Sequence, residues 1–289
     1  GEYSMEYQTL EKTDTFCLYQ TFRQAFSDYQ VPVDMPYEAF ETNLKRNGYM
    51  PGMSVGAFEH GELTGIVLNG VRYWDGEKTI YDLGTGVIPA FRKRGITQKM
   101  LSMVQTICQD NGIGRYQLEV IQENMAAVSL YKKQGFQIKR SLNCCVTEKN
   151  ERKSDESRQW QIVPSRALTP EQWECAKSFW DYSPSWQNSV DSVCAIADSF
   201  ACILAEISGK LIGYGMINKA NGDIVQLAVK PEYRRLGAAT DIMRYLQEQT
   251  GSPKIKMLNI DERDEALNMF LKQSGFRVFV QQYEMEKKL

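Results

Sequence analysis

Residues 81–101 read YDLGTGVIPAFRKRGITQKML, and residues 225–246 read VQLAVKPEYRRLGAATDIMRYL. Each stretch is a β-like run, a proline, an arginine-glycine turn and then a helix with one apolar stripe, so the chain carries one segment twice. The surroundings agree as well. Upstream, Gly61-Glu62-Leu63-Thr64-Gly65 matches Gly209-Lys210-Leu211-Ile212-Gly213; downstream, Lys133-Gln134-Gly135-Phe136 matches Lys272-Gln273-Ser274-Gly275-Phe276. The copies lie much further apart than the ~20–50 residues of solenoid repeats, so each has enough chain to own a core. Two tandem domains of one fold follow.

Working outward from the repeat, the first copy reads as an edge strand at 3–10, helices at 14–29 and 37–47, and a hairpin of strands 53–59 and 62–73. A strand at 78–88, a helix at 97–111, a strand at 115–121, a helix at 124–134 and a strand at 136–146 complete it. The second copy repeats this order: strand 160–164, helices 170–180 and 185–197, strands 200–207, 211–218 and 223–230, helix 238–250, strand 254–260, helix 263–274 and strand 276–286. Such an order implies an α/β fold, each copy being a mixed, mainly antiparallel sheet flanked by helices. The expected domains are 1–147 and 159–289, joined by the polar, charged stretch 148–158. Trp173, Trp180 and Trp186 read as core residues rather than as a ligand platform.

Composition narrows the function. At 289 residues and 43% hydrophobic content the chain can fill two cores, and a formal net charge of −2 provides no general attraction to nucleic acid or to an anionic membrane. It has no apolar run of ~18 residues and no secretory leader pattern, which leads us to expect a cytoplasmic protein. The seven cysteines form no CxxC pair, and His60 is the single histidine, so neither a metal site nor a disulfide framework is expected.

The repeated turn has chemistry of its own. A helix start leaves its first N–H groups without intrahelical partners and carries partial positive charge. In the first copy Arg92, Lys93, Arg94, Gly95, Ile96 and Thr97 add cations and a glycine that lets a ligand approach the backbone; in the second, Arg234, Arg235, Gly237, Ala238 and Ala239 take those places. A pyrophosphate-bearing cofactor suits such a turn.

At this point the sequence resembles the GNAT superfamily of acyl-CoA-dependent acetyltransferases, whose hallmark is (Q/R)xxGx(G/A) at a strand-to-helix turn. Arg234-x-x-Gly237-x-Ala239 matches in full, and Arg92-x-x-Gly95-x-Thr97 departs at its last place. The family's second signature, NxxAxxLYxxxGF, is complete from Asn124 through Ala127, Leu130, Tyr131 and Gly135 to Phe136. In the second copy the tyrosine has become Leu271. The resemblance covers 3–147 closely and 159–287 more loosely.

It implies direct acetyl transfer from acetyl-CoA to an amine, small-molecule or peptide, with the donor lying along Gly86, Val87 and Ile88 or along Leu227, Ala228 and Val229. Asn124 joins the expected CoA contacts, and Tyr131 is placed to protonate the departing CoA thiolate. An amine attacks only when neutral, and a lysine-like amine is neutral in roughly 1 part in 2,500 at pH 7. Asp82 is the candidate base. We therefore expect catalysis in the first copy and CoA binding without proton chemistry in the second, the protein being a monomer or a homodimer. Three readings stay open: this one, catalysis in the second copy, and a non-catalytic CoA-binding, sensor or interaction module. The acidic and aromatic loop 28–37 reads equally as a surface for a cationic acceptor or as a loop that its acids simply solvate.

Overall fold

Alternating apolar residues and glycine-closed hairpins form most of the strands. The structure, a computed structural model, describes residues 4–29, 33–150 and 158–289. In chain order the elements are β1 (Glu6–Thr9), α1 (Thr15–Ala25), α2 (Tyr37–Asn47), β2 (Val55–Glu59), β3 (Glu62–Trp74), β4 (Glu77–Val87), α3 (Ile96–Asp110), β5 (Arg115–Ile121), α4 (Met125–Lys133) and β6 (Gln137–Glu148). The second copy supplies β7 (Gln161–Ser165), α5 (Pro170–Lys177), α6 (Val190–Ala195), β8 (Phe200–Ile207), β9 (Lys210–Asn218), β10 (Asp223–Val229), α7 (Ala238–Glu248), β11 (Lys254–Asp261), α8 (Glu265–Gln273) and β12 (Arg277–Lys288). The single helix expected over 185–197 is broken into a 3-10 turn at Trp186–Asn188, α6, and a second turn at Ala197–Ser199. Ser189 causes the first break, because its hydroxyl caps α6 by accepting the Ser192 N–H.

The chain divides into two compact units: Gly1–Lys139 with Glu284–Leu289, and Arg140–Tyr283. In the first, strands neighbour one another in the order β1-β2-β3-β4-β5 and then β12; in the second the order is β6-β11-β10-β9-β8-β7. Most of the last strand of the first repeat is thus grouped with the second unit, and the end of the chain with the first. Residue Leu289 donates its N–H to Gly114 O at 2.9 Å, and Lys149 donates to Pro253 O at 2.8 Å. The segment 148–158, expected as a linker, has Glu148 in β6 and Asn150 bonded to Gln247 Oε1; residues 151–157 lie outside the described set.

Within each unit β4 with β5 and β10 with β11 pair in parallel, whereas β1 with β2, β2 with β3, β3 with β4, β6 with β11, β7 with β8, β8 with β9 and β9 with β10 pair antiparallel. Helices cover both faces. In the first unit α1 and α2 bury Leu18, Phe40 and Leu44 against Ile66 and Leu68 of β3, and α3 turns Met100, Leu101, Val104 and Cys108 inward. In the second, Trp173, Phe179 and Tyr214 build one core, and Ile242, Leu246, Ile255 and Leu271 the other. Trp186 is fully buried, whereas Trp180 is only half-buried and donates its indole N–H to Tyr214 at 2.7 Å.

Candidate active site

The parallel pairs decide where a ligand can enter. β4 and β5 are paired from Thr79–Tyr81 to Arg115–Gln117 and part company after that, although β4 runs on to Val87. Asp82 is the first residue past the parting. β10 and β11 repeat the geometry, paired at Asp223 and Ile224 and splayed beyond. From Asp82 to Val87, β4 is held on one side by β3, while its β5 pairing has ended, which exposes backbone amide groups suited to an extended, amide-bearing ligand.

Asp82 is buried. Its carboxylate accepts the Gly84 N–H at 2.8 Å and the Thr85 hydroxyl, and burial pushes its pKa up to about 6 despite these two bonds. Tyr131 reaches the same place from α4. Asn124 caps that helix by accepting the Ala127 N–H at 3.2 Å, and the tyrosine ring packs edge-on against Phe136 at 5.6 Å. Burial raises the Tyr131 phenol well above its ordinary value, the Asp82 charge raises it further, and the Thr85 hydroxyl acts in the opposite direction. Asp82 and Tyr131, expected as base and acid, are therefore brought together. Asn124 serves as a helix cap and bonds the Tyr29 hydroxyl, so its visible role is to position α4.

At the turn, Lys93 and Gly95 both take left-handed backbone, with φ of 63° and 71°; in the second unit Arg235 and Gly237 do the same at 61° and 102°. Alternation of this kind points successive N–H groups into one concavity at the start of α3 and α7, a cradle for a phosphate group. Lys93 and Arg94 are exposed, with Arg94 paired to Glu59 at 2.7 Å, while Ile96 is buried and anchors the helix.

The first arginine of each turn does something else. Arg92 donates from Nε to Val87 O at 3.0 Å, from Nη2 to Ala25 O at 2.8 Å, and through both Nη atoms to the Asp28 carboxylate. Arg234 repeats this with Val229 O, Phe179 O and Asp181. Each guanidinium clamps the strand end to the segment after the nearest helix, which places it as a support of the turn. Asp28 is committed to Arg92, whose hydrogen bonds hold its pKa below the usual carboxylate value. Sequence reading had no local signal for Asp28 or Asp181 as clamp partners. It also missed Arg158, which lies 3.0 Å from where a Gly237 side chain would begin and reaches Leu236 O at 3.3 Å.

The second unit has a cavity of about 500 Å³ in its splay, lined by Trp180, Leu227, Arg235, Gly237, Asn259 and Phe270 among others. The thiols of Cys108 and Cys202 are pushed up to about 12 by burial and that of Cys145 to about 11, so none of these is a thiolate near neutrality.

The acetyltransferase (GNAT) family model matches residues 17–136 and again 165–276. This chain belongs to the GNAT acetyltransferase family. No curated protein matches it by sequence. Among solved structures, a GCN5-related N-acetyltransferase from Sphaerobacter thermophilus shares 15% identity at a TM-score of 0.73 over 98% of this chain and 95% of that one. A tandem GNAT protein from the clavulanic acid biosynthesis pathway shares 12% at 0.74, covering 99% and 98%. A GCN5-related glucosamine N-acetyltransferase region of a fungal multi-domain β-N-acetylglucosaminidase shares 13% at 0.75, covering 99% of this chain and 38% of that one. At these identities the likeness is one of fold, and that fold is a tandem GNAT acetyltransferase.

Proposed function

We propose that this acetyltransferase moves an acetyl group from acetyl-CoA directly to a primary amine in the splay of its first unit. Supporting this is the burial of Asp82 and Tyr131 side by side where β4 leaves β5, in a unit whose turn has two left-handed residues ready to cradle a phosphate. The backbone of Lys93–Thr97 would hold the pyrophosphate, and the strand edge from Gly86 to Ile88, beyond the β5 pairing, the pantetheine amides. When bound, acetyl-CoA supplies the acetyl carbon and a thiolate leaving group. The Asp82 carboxylate, with a pKa near 6, is ionised in roughly nine-tenths of molecules at pH 7 and takes the ammonium proton. Without a base that deprotonation costs about 4–5 kcal/mol. Tyr131 donates its hydroxyl proton to the leaving sulfur, a step worth something like 10²–10⁴ in rate.

A second reading concerns the other unit: it holds a CoA-type ligand and does no chemistry. It is supported by the cavity of about 500 Å³ beside Arg235 and Gly237, with Leu271 where the tyrosine would stand. Thioester consumption measured with an amine panel that includes glucosamine and lysine peptides tests both. Tyr131→Phe should cut turnover at least 100-fold, and Gly237→Asp should leave it largely intact. The reverse pattern moves catalysis to the second unit.

A further inference from the structure

We propose that Thr85 is a positioning residue that links Asp82 to Tyr131 and returns the substrate's proton from base to acid in each turnover. This rests on the base and acid assignment above. Thr85 lies three residues after Asp82, and its Oγ1 donates to Asp82 Oδ2 while its hydroxyl also faces the Tyr131 phenol. A threonine hydroxyl can accept one proton and donate another at the same time.

The chain itself provides the control. Pro89 and Pro231 open equivalent turns, and in both copies one residue, Leu83 or Val225, is skipped in the pairing with the preceding strand. Counting back along that shared register, Asp82 corresponds to Ile224 and Thr85 to Leu227; counting back from Gly135 and Gly275, Tyr131 corresponds to Leu271. Ile224, Leu227 and Leu271 are all buried in one apolar cluster. The second unit therefore carries aliphatic side chains at all three equivalent positions. The polar trio is present in one unit and absent as a set from the other.

Two protons leave the ammonium: the first passes through Asp82 to solvent before attack, which leaves the amine neutral and Asp82 ionised again. As the N–C bond forms and the C–S bond breaks, the second nitrogen proton passes to Asp82 and the Tyr131 proton to sulfur. Asp82, now protonated, donates to Thr85 Oγ1, and Thr85 donates to the Tyr131 phenolate. Both side chains are then restored, and the net change from the ammonium is one proton moved from nitrogen to sulfur and one released to water. The ionisable groups around Asp82 are Tyr81 on its own strand, Tyr116 on β5 and Tyr131 on α4, with Tyr29 beyond Tyr131.

Steady-state kinetics of the full chain test the relay. Thr85→Val should lower kcat about 10–100-fold, within the range of a single proton-transfer step, with KM for acetyl-CoA little changed. The acidic limb of its kcat profile should move to higher pH, because Asp82 loses a bond that favours its ionised form. Thr85→Ser, which keeps the hydroxyl, should recover most of the rate. In a Tyr131→Phe background Thr85→Val should cost nothing more, since members of one relay are not additive. Full additivity, or a serine variant as slow as the valine, overturns the relay. Failure of Asp82→Asn and Tyr131→Phe to slow turnover overturns the base and acid assignment itself; their strong effect beside a wild-type-like Thr85→Val removes Thr85 alone.

Discussion

In the proposed mechanism, Asp82 sets function against stability at a single residue. Its buried carboxyl has a pKa near 6, above the unfolded value of roughly 4, so the folded state binds the proton more tightly. The favourable contribution of the protonated form is complete below about pH 4, fades as pH rises, and is gone once pH passes about 6. At the pH where its carboxylate is ionised, as the proposed base must be, Asp82 destabilises the molecule. Asp82→Asn should therefore raise stability at pH 7.5 by about 1–3 kcal/mol while abolishing turnover, and the gain should vanish near pH 4. Urea unfolding at the two pH values checks this. An equal effect at both would show that the carboxylate is not desolvated in the folded state.

Among the elements, the turn-to-helix unit was the most legible in sequence. Its glycine, its proline and the apolar stripe behind it are all local, and they appear where the spacing puts them. Backbone alone sets the cost of altering Gly95: φ is +71° and a methyl there would meet nothing within 4 Å. Gly95→Ala should cost about 1–2 kcal/mol of stability from left-handed strain. Gly237→Ala should cost more, because its methyl would also press on the Arg158 guanidinium at 3.0 Å. Thermal unfolding of the two variants checks the order. The clamps could not be read in this way. Arg92 meets Asp28 across 64 residues and Arg234 meets Asp181 across 53, and nothing near either arginine in the sequence names its carboxylate. Thr85 was equally silent: a threonine in a strand is unremarkable until the register sets it between Asp82 and Tyr131.

For the whole molecule, the sequence repeat and the folded units have different edges. Expected domains of 1–147 and 159–289 follow the repeat, whereas the first unit contains Glu284–Leu289 and the second begins at Arg140. Strand alternation tells which face a residue occupies but not which neighbour a strand will choose, so the partner of a final strand is invisible locally. Deleting residues 284–289 should accordingly damage the first unit: acetyl transfer should fall sharply, and amide exchange in β5 should quicken, with Leu289 no longer bonded to Gly114. Exchange mass spectrometry of the truncated protein checks this, and unchanged protection of β5 would count against it. The same arrangement bears on inheritance. In a tandem duplication, a premature stop codon in the later copy would usually spare the earlier one. Here the reading frame must run through the second copy to Glu284 before the first unit is complete, so a chain cut short anywhere in the second copy leaves both units unfinished.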